Sequence, residues 1–207
     1  MKRFCLFISF ILAGMAAVAQ DDVYGAGKKE PRPVEIDIQG TELTSEGAYE
    51  RKEVVDVDGV NAAVLYDRAM MALSDWTGPD GKAKAGIDYQ NQETHTVIYK
   101  GTFSLGFKNV FLGDGWNRYA NFTVKVRCKD GRAQVTVTVA QMTVIYNRGN
   151  LERSYTIGKV LDAVKKSKGD KRKRGEMLMA DIVETADGMI AAMGVKLKAA
   201  ADTDDDF

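Results

Sequence analysis

Two neighbouring segments of strictly alternating apolar and polar residues restrict the fold of this chain more than any other feature. Apolar side chains occupy every second position from Phe122 to Cys128 and again from Val135 to Val139. Between these segments lies Asp130-Gly131, a dipeptide that favours a tight β-hairpin turn. The pattern therefore predicts an antiparallel hairpin with one apolar and one polar face. The polar face would carry Thr123, Lys125, Arg127, Gln134, Thr136 and Thr138.

Beyond Val139 the apolar residues change parity, because they next fall at the even-numbered positions from Met142 to Tyr146. A β-bulge inserts one extra residue into a strand and moves the following side chains to the opposite face. We therefore expect a bulge near Ala140 or Gln141.

Six further segments have patterns that are typical of regular secondary structure. Alternation or β-branched residues predict strands over residues 49–57, 82–90 and 94–107. Apolar residues at helical spacing predict helices over residues 61–76, 156–166 and 176–197. This order of elements predicts an α+β fold, in which helices pack on one face of an antiparallel sheet.

The helix predicted over 61–76 begins with a motif that resembles a calcium-binding loop. The motif Asp56-Val57-Asp58-Gly59 supplies two acidic ligands, but its glycine comes two residues too early for an EF-hand loop and a valine occupies the fifth position. The same segment fits a helix start, with Asn61 as the N-cap and with Val60 and Leu65 as a hydrophobic staple. We therefore expect a capped helix here and no metal site.

The first 19 residues have the three-part organisation of a secretory signal peptide. Lys2 and Arg3 precede an apolar run from Phe4 to Val18, and Ala17-Val18-Ala19 supplies a small-x-small cleavage site. We expect cleavage near Ala19, a mature chain without a transmembrane segment, and a periplasmic or secreted location. Because Cys5 lies inside the apolar run, lipid attachment is not expected.

Charge and cysteine content restrict the classes of partner. The chain has 29 basic and 29 acidic residues, and removal of residues 1–19 leaves 27 basic residues and a net charge of −2. A near-neutral exported protein has no global electrostatic attraction to nucleic acid or to anionic membranes. Cys128 would be the one cysteine of the mature chain, so no intramolecular disulfide is expected.

No residue pattern identifies a catalytic or metal site, and no cofactor is predicted. His95, the only histidine, lies on the apolar parity of the strand predicted over 94–107, which favours a structural role near a sheet end. Cys128 continues the apolar face that begins at Phe122, which favours a buried and unreactive thiol. Carboxylates are numerous, so a glycosidase-type pair stays open, although no spacing singles one out.

The remaining segments differ in composition. Residues 20–46 are rich in glycine and have little periodicity except at Val34–Ile38, a candidate edge strand, so we expect a flexible lead-in. Residues 148–200 are expected to form a C-terminal helical region. Its basic run over 165–174 is expected to be a solvated loop between helices, and the acidic residues 201–207 a disordered tail.

Three short motifs are characteristic of one known family. They are Val57-Asp58-Gly59-Val60-Asn61, Leu65-Tyr66-Asp67-Arg68-Ala69 and Lys100-Gly101-Thr102. Through them the stretch from Glu50 to Tyr146 resembles the domain-of-unknown-function family 4468. The resemblance implies a TBP-like β-α-β4-α domain over residues 47–147. It implies no activity, because the function of the family is unknown, and the fold alone does not imply DNA binding.

The resulting hypothesis is an exported, non-catalytic binding or interaction module. Its candidate site is the polar hairpin face defined above, which suits another envelope protein or a small ligand, whereas nucleic acid is not expected as a partner. The alternative is that the polar hairpin face binds no partner and contacts only solvent. Two other classes stay open, namely an envelope-associated hydrolase that uses carboxylates and a structural envelope component.

Overall fold

The computed structural model describes residues 43–76, 85–110, 114–146 and 151–199. These residues form one six-stranded sheet and three helices, which confirms the predicted α+β class. The strands are β1 (Tyr49–Asp56), β2 (Gly86–Asn91), β3 (Thr96–Val110), β4 (Asp114–Lys129), β5 (Arg132–Tyr146) and β6 (Leu151–Thr156). The helices are α1 (Ala62–Ser74), α2 (Ile157–Lys166) and α3 (Gly169–Lys198).

The described strands pair antiparallel throughout, in the order β1-β5-β4-β3-β2. β4 and β5 form the hairpin that the Asp-Gly turn predicts, from Trp116 opposite Tyr146 to Lys129 opposite Arg132. On its other side β5 pairs with β1 through residues 132–139 and with β6 through residues 141–146. One edge of the sheet is therefore β2. The other edge consists of β1 and β6, which pair with successive parts of β5.

The predicted β-bulge is confirmed at Ala140. Phe122 pairs with Val139 and Asn121 pairs with Gln141, so Ala140 has no partner residue on β4. The extra residue turns the following side chains to the opposite face. As a result both Val139 and Met142 are buried in the core. The bulge is also the point at which β5 exchanges β1 for β6.

The start of α1 follows the prediction and adds a second contact. The side-chain Oδ1 of Asn61 accepts a hydrogen bond from the Val64 amide at 2.9 Å, so the N-cap assignment is confirmed. The Ala62 amide donates to Oδ1 of Asp130, in the β4–β5 turn, at 2.8 Å. Two amides of the first helical turn, which have no partner within a helix, are thus satisfied by side chains.

The helices pack on one face of the sheet and share one core with it. α1 and α3 are also joined directly, because Arg68 Nη1 donates to the Leu197 carbonyl at 2.9 Å. A cation at this place complements the partial negative charge at the C-terminal end of α3. The largest fully buried side chains of the helices are Leu65, Leu73, Ile157, Leu161, Met179, Ile182, Met193 and Leu197. The region predicted over 148–200 therefore belongs to the same core as residues 47–147.

The C-terminal region differs from the sequence predictions in two respects. The basic segment 165–174 is not a loop, because α2 ends at Lys166 and α3 begins at Gly169, with two residues between them. Lysine and arginine are good helix formers, and their long side chains reach solvent from the outer side of a helix. Strand β6 was not predicted, and its side chains are mostly exposed, so the sequence carries no apolar alternation there.

Several predicted segments lie outside the described residues. They are the signal peptide over 1–19, the lead-in as far as residue 42, the candidate strand over 34–38 and the acidic tail over 201–207. Within the described part of the chain, none of the helices has the length and apolar character needed to cross a membrane.

Candidate functional site on the open face of the sheet

The six residues predicted to form a polar face lie side by side on the surface of the sheet that faces away from the helices, here called the open face. Their cross-strand pairs are Thr123 with Thr138, Lys125 with Thr136, and Arg127 with Gln134. Directly opposed residues of an antiparallel pair project from the same face about 5 Å apart. The six side chains therefore form three adjacent rows on the two central strands, β4 and β5, and Lys129 and Arg132 form the next row toward the β4–β5 turn.

The registers of β1 and β3 extend these rows with residues that the sequence did not identify. Glu50, Lys52 and Val54 continue the rows beyond β5. On the other side, Lys100, Ile98 and Thr96 continue them beyond β4, and β2 adds Tyr89 and Asn91 opposite Ile98 and Thr96. The middle row consequently runs Lys52, Thr136, Lys125, Ile98 and Tyr89 across five strands.

Opposite charges are paired at the margins of the open face. Lys52 Nζ lies 3.4 Å from Glu50 Oε1, and Lys100 Nζ lies 2.9 Å from Asp88 Oδ2. The hydroxyl of Thr138 also donates to Glu50 Oε2 at 3.4 Å. These contacts are solvent-exposed, so each stabilises the fold by at most about 1 kcal/mol.

Lys125 and Arg127 differ from Lys52 and Lys100, which have acidic partners. Lys125 and Arg127 are both exposed, and in the part of the chain that the structure describes neither takes part in an ion pair. Thr136 lies beside Lys125 and between it and Lys52, and it is buried at 9% exposure although no helix covers this face. Its burial indicates that the longer neighbouring side chains cover it. The centre of the open face is therefore positively charged.

Apolar side chains complete the open face at both ends of the rows. Tyr89 is 46% exposed beside Ile98, and Val54 is 48% exposed at the opposite edge. A tyrosine offers a large contact area with little loss of conformational entropy, and arginine and tyrosine are enriched in protein interfaces. This combination of a cationic centre with apolar margins suits an acidic surface that also has apolar groups.

Two cavities lie on the helical side of the sheet. One, of about 280 Å³, lies between α2, α3 and β5, and Met142, Val160 and Val164 are among its lining residues. The other, of about 290 Å³, lies between β1 and α3. Glu53 and Asp56 both line the second cavity, but residues three apart on a strand project from opposite faces. These two carboxylates do not form the facing pair that glycoside hydrolysis requires.

The two residues with reactive side chains lie at the end of the sheet. His95 precedes β3 instead of lying within it, has a positive φ of 45°, and accepts a hydrogen bond through its carbonyl from the Cys128 amide at 2.9 Å. The predicted place of His95 within a strand is therefore wrong, because the turn after β2 includes it. Burial raises the pKa of the Cys128 thiol to about 12, so the thiol is protonated and unreactive at neutral pH.

The described residues contain no cluster of three or more histidine, cysteine or carboxylate side chains that could hold a metal ion. Arg118 lies on the side of β4 that faces the helices, where its Nη2 donates to the Leu105 carbonyl at 2.9 Å. Desolvation by burial lowers the pKa of this guanidinium, and the nearby Asp181 opposes that effect. We assign Arg118 a structural role between the sheet and α3.

Comparisons with known proteins place the fold. Residues 52–143 match the family described as a domain of unknown function (DUF4468) with TBP-like fold. A DUF4468 family protein from Bacteroides ovatus ATCC 8483 has a TM-score of 0.57 at 16% identity, over 79% of this chain and 94% of that one. A TBP-like protein from Parabacteroides distasonis ATCC 8503 has a TM-score of 0.54 at 10% identity, over 77% and 98%. None of the curated proteins matches the chain.

Proposed function

We propose that this chain is an exported, non-catalytic binding module whose open face binds an acidic protein partner. The match of residues 52–143 to the DUF4468 family agrees with the resemblance of the sequence motifs, and the function is argued from the site because a fold hosts many functions. Export is supported by the cationic, apolar and small-residue segments of residues 1–19.

One observation carries the proposal. The helices cover the apolar face of the sheet, while Lys125 and Arg127 stand exposed and without an ion pair at the centre of the other face of the described sheet. Lys52 and Lys100 on that face do have acidic partners, whereas Lys125, Arg127 and, in the next row, Lys129 and Arg132 have no ion pair among the described residues. A carboxylate-rich partner would supply the counter-charges that the two central cations lack.

The shape of the open face favours a protein over a small molecule. Small ligands bind in concave sites, whereas the two cavities described above lie on the other side of the sheet. Three rows across five strands cover about 15 by 20 Å, which is smaller than the roughly 800 Å² per partner of a standard interface. We therefore expect a transient complex that weakens as salt concentration rises.

The test is a comparison of two charge-reversed variants of equal net charge. Wild type, Lys125→Glu/Arg127→Glu and the matched control Lys165→Glu/Lys173→Glu are used to recover proteins from the envelope fraction of the source organism. An acidic protein recovered by wild type and by the control, and lost with the open-face variant, is the expected result. Equal recovery by all three proteins contradicts the assignment of the open face.

Export is tested separately by cell fractionation and by the mass of the purified chain. We expect the chain in the periplasm or the medium, with Gln20 as its first residue. A cytoplasmic chain that retains residues 1–19 contradicts export and leaves the binding experiment unaffected. The hydrolase alternative has no observation in its favour among the described residues, since Glu53 and Asp56 do not face each other across their cavity.

A further inference from the structure

The cavity of about 280 Å³ between α2, α3 and the β5–β6 strand pair has an apolar interior, and it is called the apolar groove below. Met142 on β5 and Tyr155 on β6 pair directly opposite each other, and both line the groove on its sheet side. Val160 and Val164 line it on the side of α2, and both are buried. Because residues four apart lie on one face of a helix, the two valines form one continuous apolar wall.

The second helix closes the apolar groove without placing a side chain in it at Gly175. This glycine of α3 also lines the groove, and a Cβ added to it would lie 2.4 Å from Val164 Cγ2. The volume of the groove is near the lower end of the range of about 300–1,000 Å³ that is usual for small-ligand pockets. A single short alkyl chain suits an apolar space of this size, and its removal from water would favour binding.

Two lysines line the apolar groove at its exposed margin. Lys159 belongs to α2 and Lys171 to α3, both are exposed, and neither forms an ion pair with another described residue. The described residues that line the groove include no acidic side chain. Glu176, which follows Gly175, is paired with Arg172 at a distance of 2.8 Å between Oε1 and Nε. The groove therefore combines an apolar interior with a positively charged margin.

We propose that the apolar groove binds a single-chain anionic amphiphile of the fatty-acid type. Its alkyl chain lies between α2 and the β5–β6 pair, and its carboxylate lies at the margin beside Lys159 and Lys171. The ammonium group of lysine is carried on a flexible four-carbon stem, so it reaches an anion at the margin while the stem covers apolar surface. This site lies on the helical side of the sheet and is independent of the open face.

The first test compares three ligands that share one alkyl chain and differ in charge. Octanoate, octanol and octylammonium are each titrated into the full chain below micellar concentrations, and binding is followed by the amide signals in ¹H–¹⁵N NMR spectra. Octanoate should bind about tenfold or more tightly than the other two, because only its head group pairs with the lysines. Absence of octanoate binding, or equal affinity for all three ligands, overturns the proposal.

The second test removes the positive charge of the margin. Lys159→Gln/Lys171→Gln should weaken octanoate binding about tenfold or more and leave octanol binding unchanged. The matched control Lys165→Gln/Lys173→Gln removes the same charge from exposed positions of α2 and α3 that do not line the groove. Equal weakening in the two variants, or none in the first, contradicts the role of the lysines and overturns the proposal.

The third test fills the apolar groove. Ala163 lines the groove on α2 and is exposed, so the side chain of Ala163→Phe would occupy the groove without entering the core. Ala192→Phe is the matched control, because Ala192 is exposed on α3 and does not line the groove. Octanoate binding should be lost in Ala163→Phe and kept in the control, with thermal unfolding as the check that both variants fold. Octanoate binding that persists in folded Ala163→Phe, or that is lost equally in both, overturns the proposal.

Discussion

Replacement of Asn61 by alanine measures how strongly α1 depends on its N-cap. The substitution removes the acceptor of the 2.9 Å hydrogen bond from the Val64 amide. Asn61 is exposed, so water replaces part of this bond, and the loss in free energy of unfolding should be about 1 kcal/mol. For a domain of this size that loss lowers Tm by about 2–4 °C.

The Asp130 contact makes the cap experiment more specific. Asp130 satisfies a different amide, that of Ala62, at 2.8 Å. Asn61→Ala and Asp130→Ala should each cost about 1 kcal/mol. Because both side chains cap the same helical turn, the loss in the double variant should differ from the sum of the two by about 0.5 kcal/mol or more. Unfolding followed by circular dichroism in urea gives each value, and Asn61→Ser is the control that retains an acceptor. If Asn61→Ala is as stable as Asn61→Ser, the cap does not stabilise the fold and the reasoning fails.

Two further predictions concern the packing of α3 and the single cysteine of the described chain. Gly175→Ala should lower the free energy of unfolding by about 1–3 kcal/mol, because the added Cβ would lie 2.4 Å from Val164 Cγ2. Gly188→Ala should instead raise it by up to about 1 kcal/mol, since nothing lies within 4 Å of that Cβ. Thermal unfolding of the two variants decides this, and a shift of the same sign in both would contradict the packing of α2 on α3. Burial raises the pKa of Cys128 from 9.0 to about 12, so its contribution to stability is complete below pH 9 and is lost as pH rises through 12. Iodoacetamide should label Cys128 much more slowly in the native chain than in urea at pH 9–10, and equal rates would show that the thiol is not buried.

Local sequence patterns predicted the elements whose signals are contained within a few residues. The parity change after Val139 located the bulge, and the residues around Asn61 located the helix start, because both depend on nearest neighbours. The basic segment 165–174 was misassigned because its polarity resembles that of a loop, although lysine and arginine also favour helices. The contact of Asp130 with Ala62 joins residues 68 positions apart, and no local pattern reports it.

The full extent of the open face also required the structure. Each strand pattern shows which residues share a face, but it does not show which residues of two strands lie opposite each other. Between β2 and β3 a register shift occurs between Ile87 and Tyr89, and it brings Tyr89 opposite Ile98 on the open face. The aromatic end of the middle row therefore depends on an irregularity of the sheet that alternation within β2 does not reveal.

The bulge at Ala140 also determines where the open face ends. Before the bulge, β5 presents Gln134, Thr136 and Thr138 beside the cations of β4, with β1 as its outer neighbour. After it, β6 replaces β1, and Thr143 is buried at 7% exposure with its Oγ1 3.1 Å from Ser154 Oγ. Beside β5, the short side chain of Ser154 on β6 thus takes the place of the long charged side chains of Glu50 and Lys52 on β1. Because one inserted residue changes both the side-chain parity and the neighbouring strand, the open-face cations of β4 and β5 all lie before Ala140, in the rows from Thr138 to Arg132. The proposed acidic partner would therefore place its acidic groups on these rows.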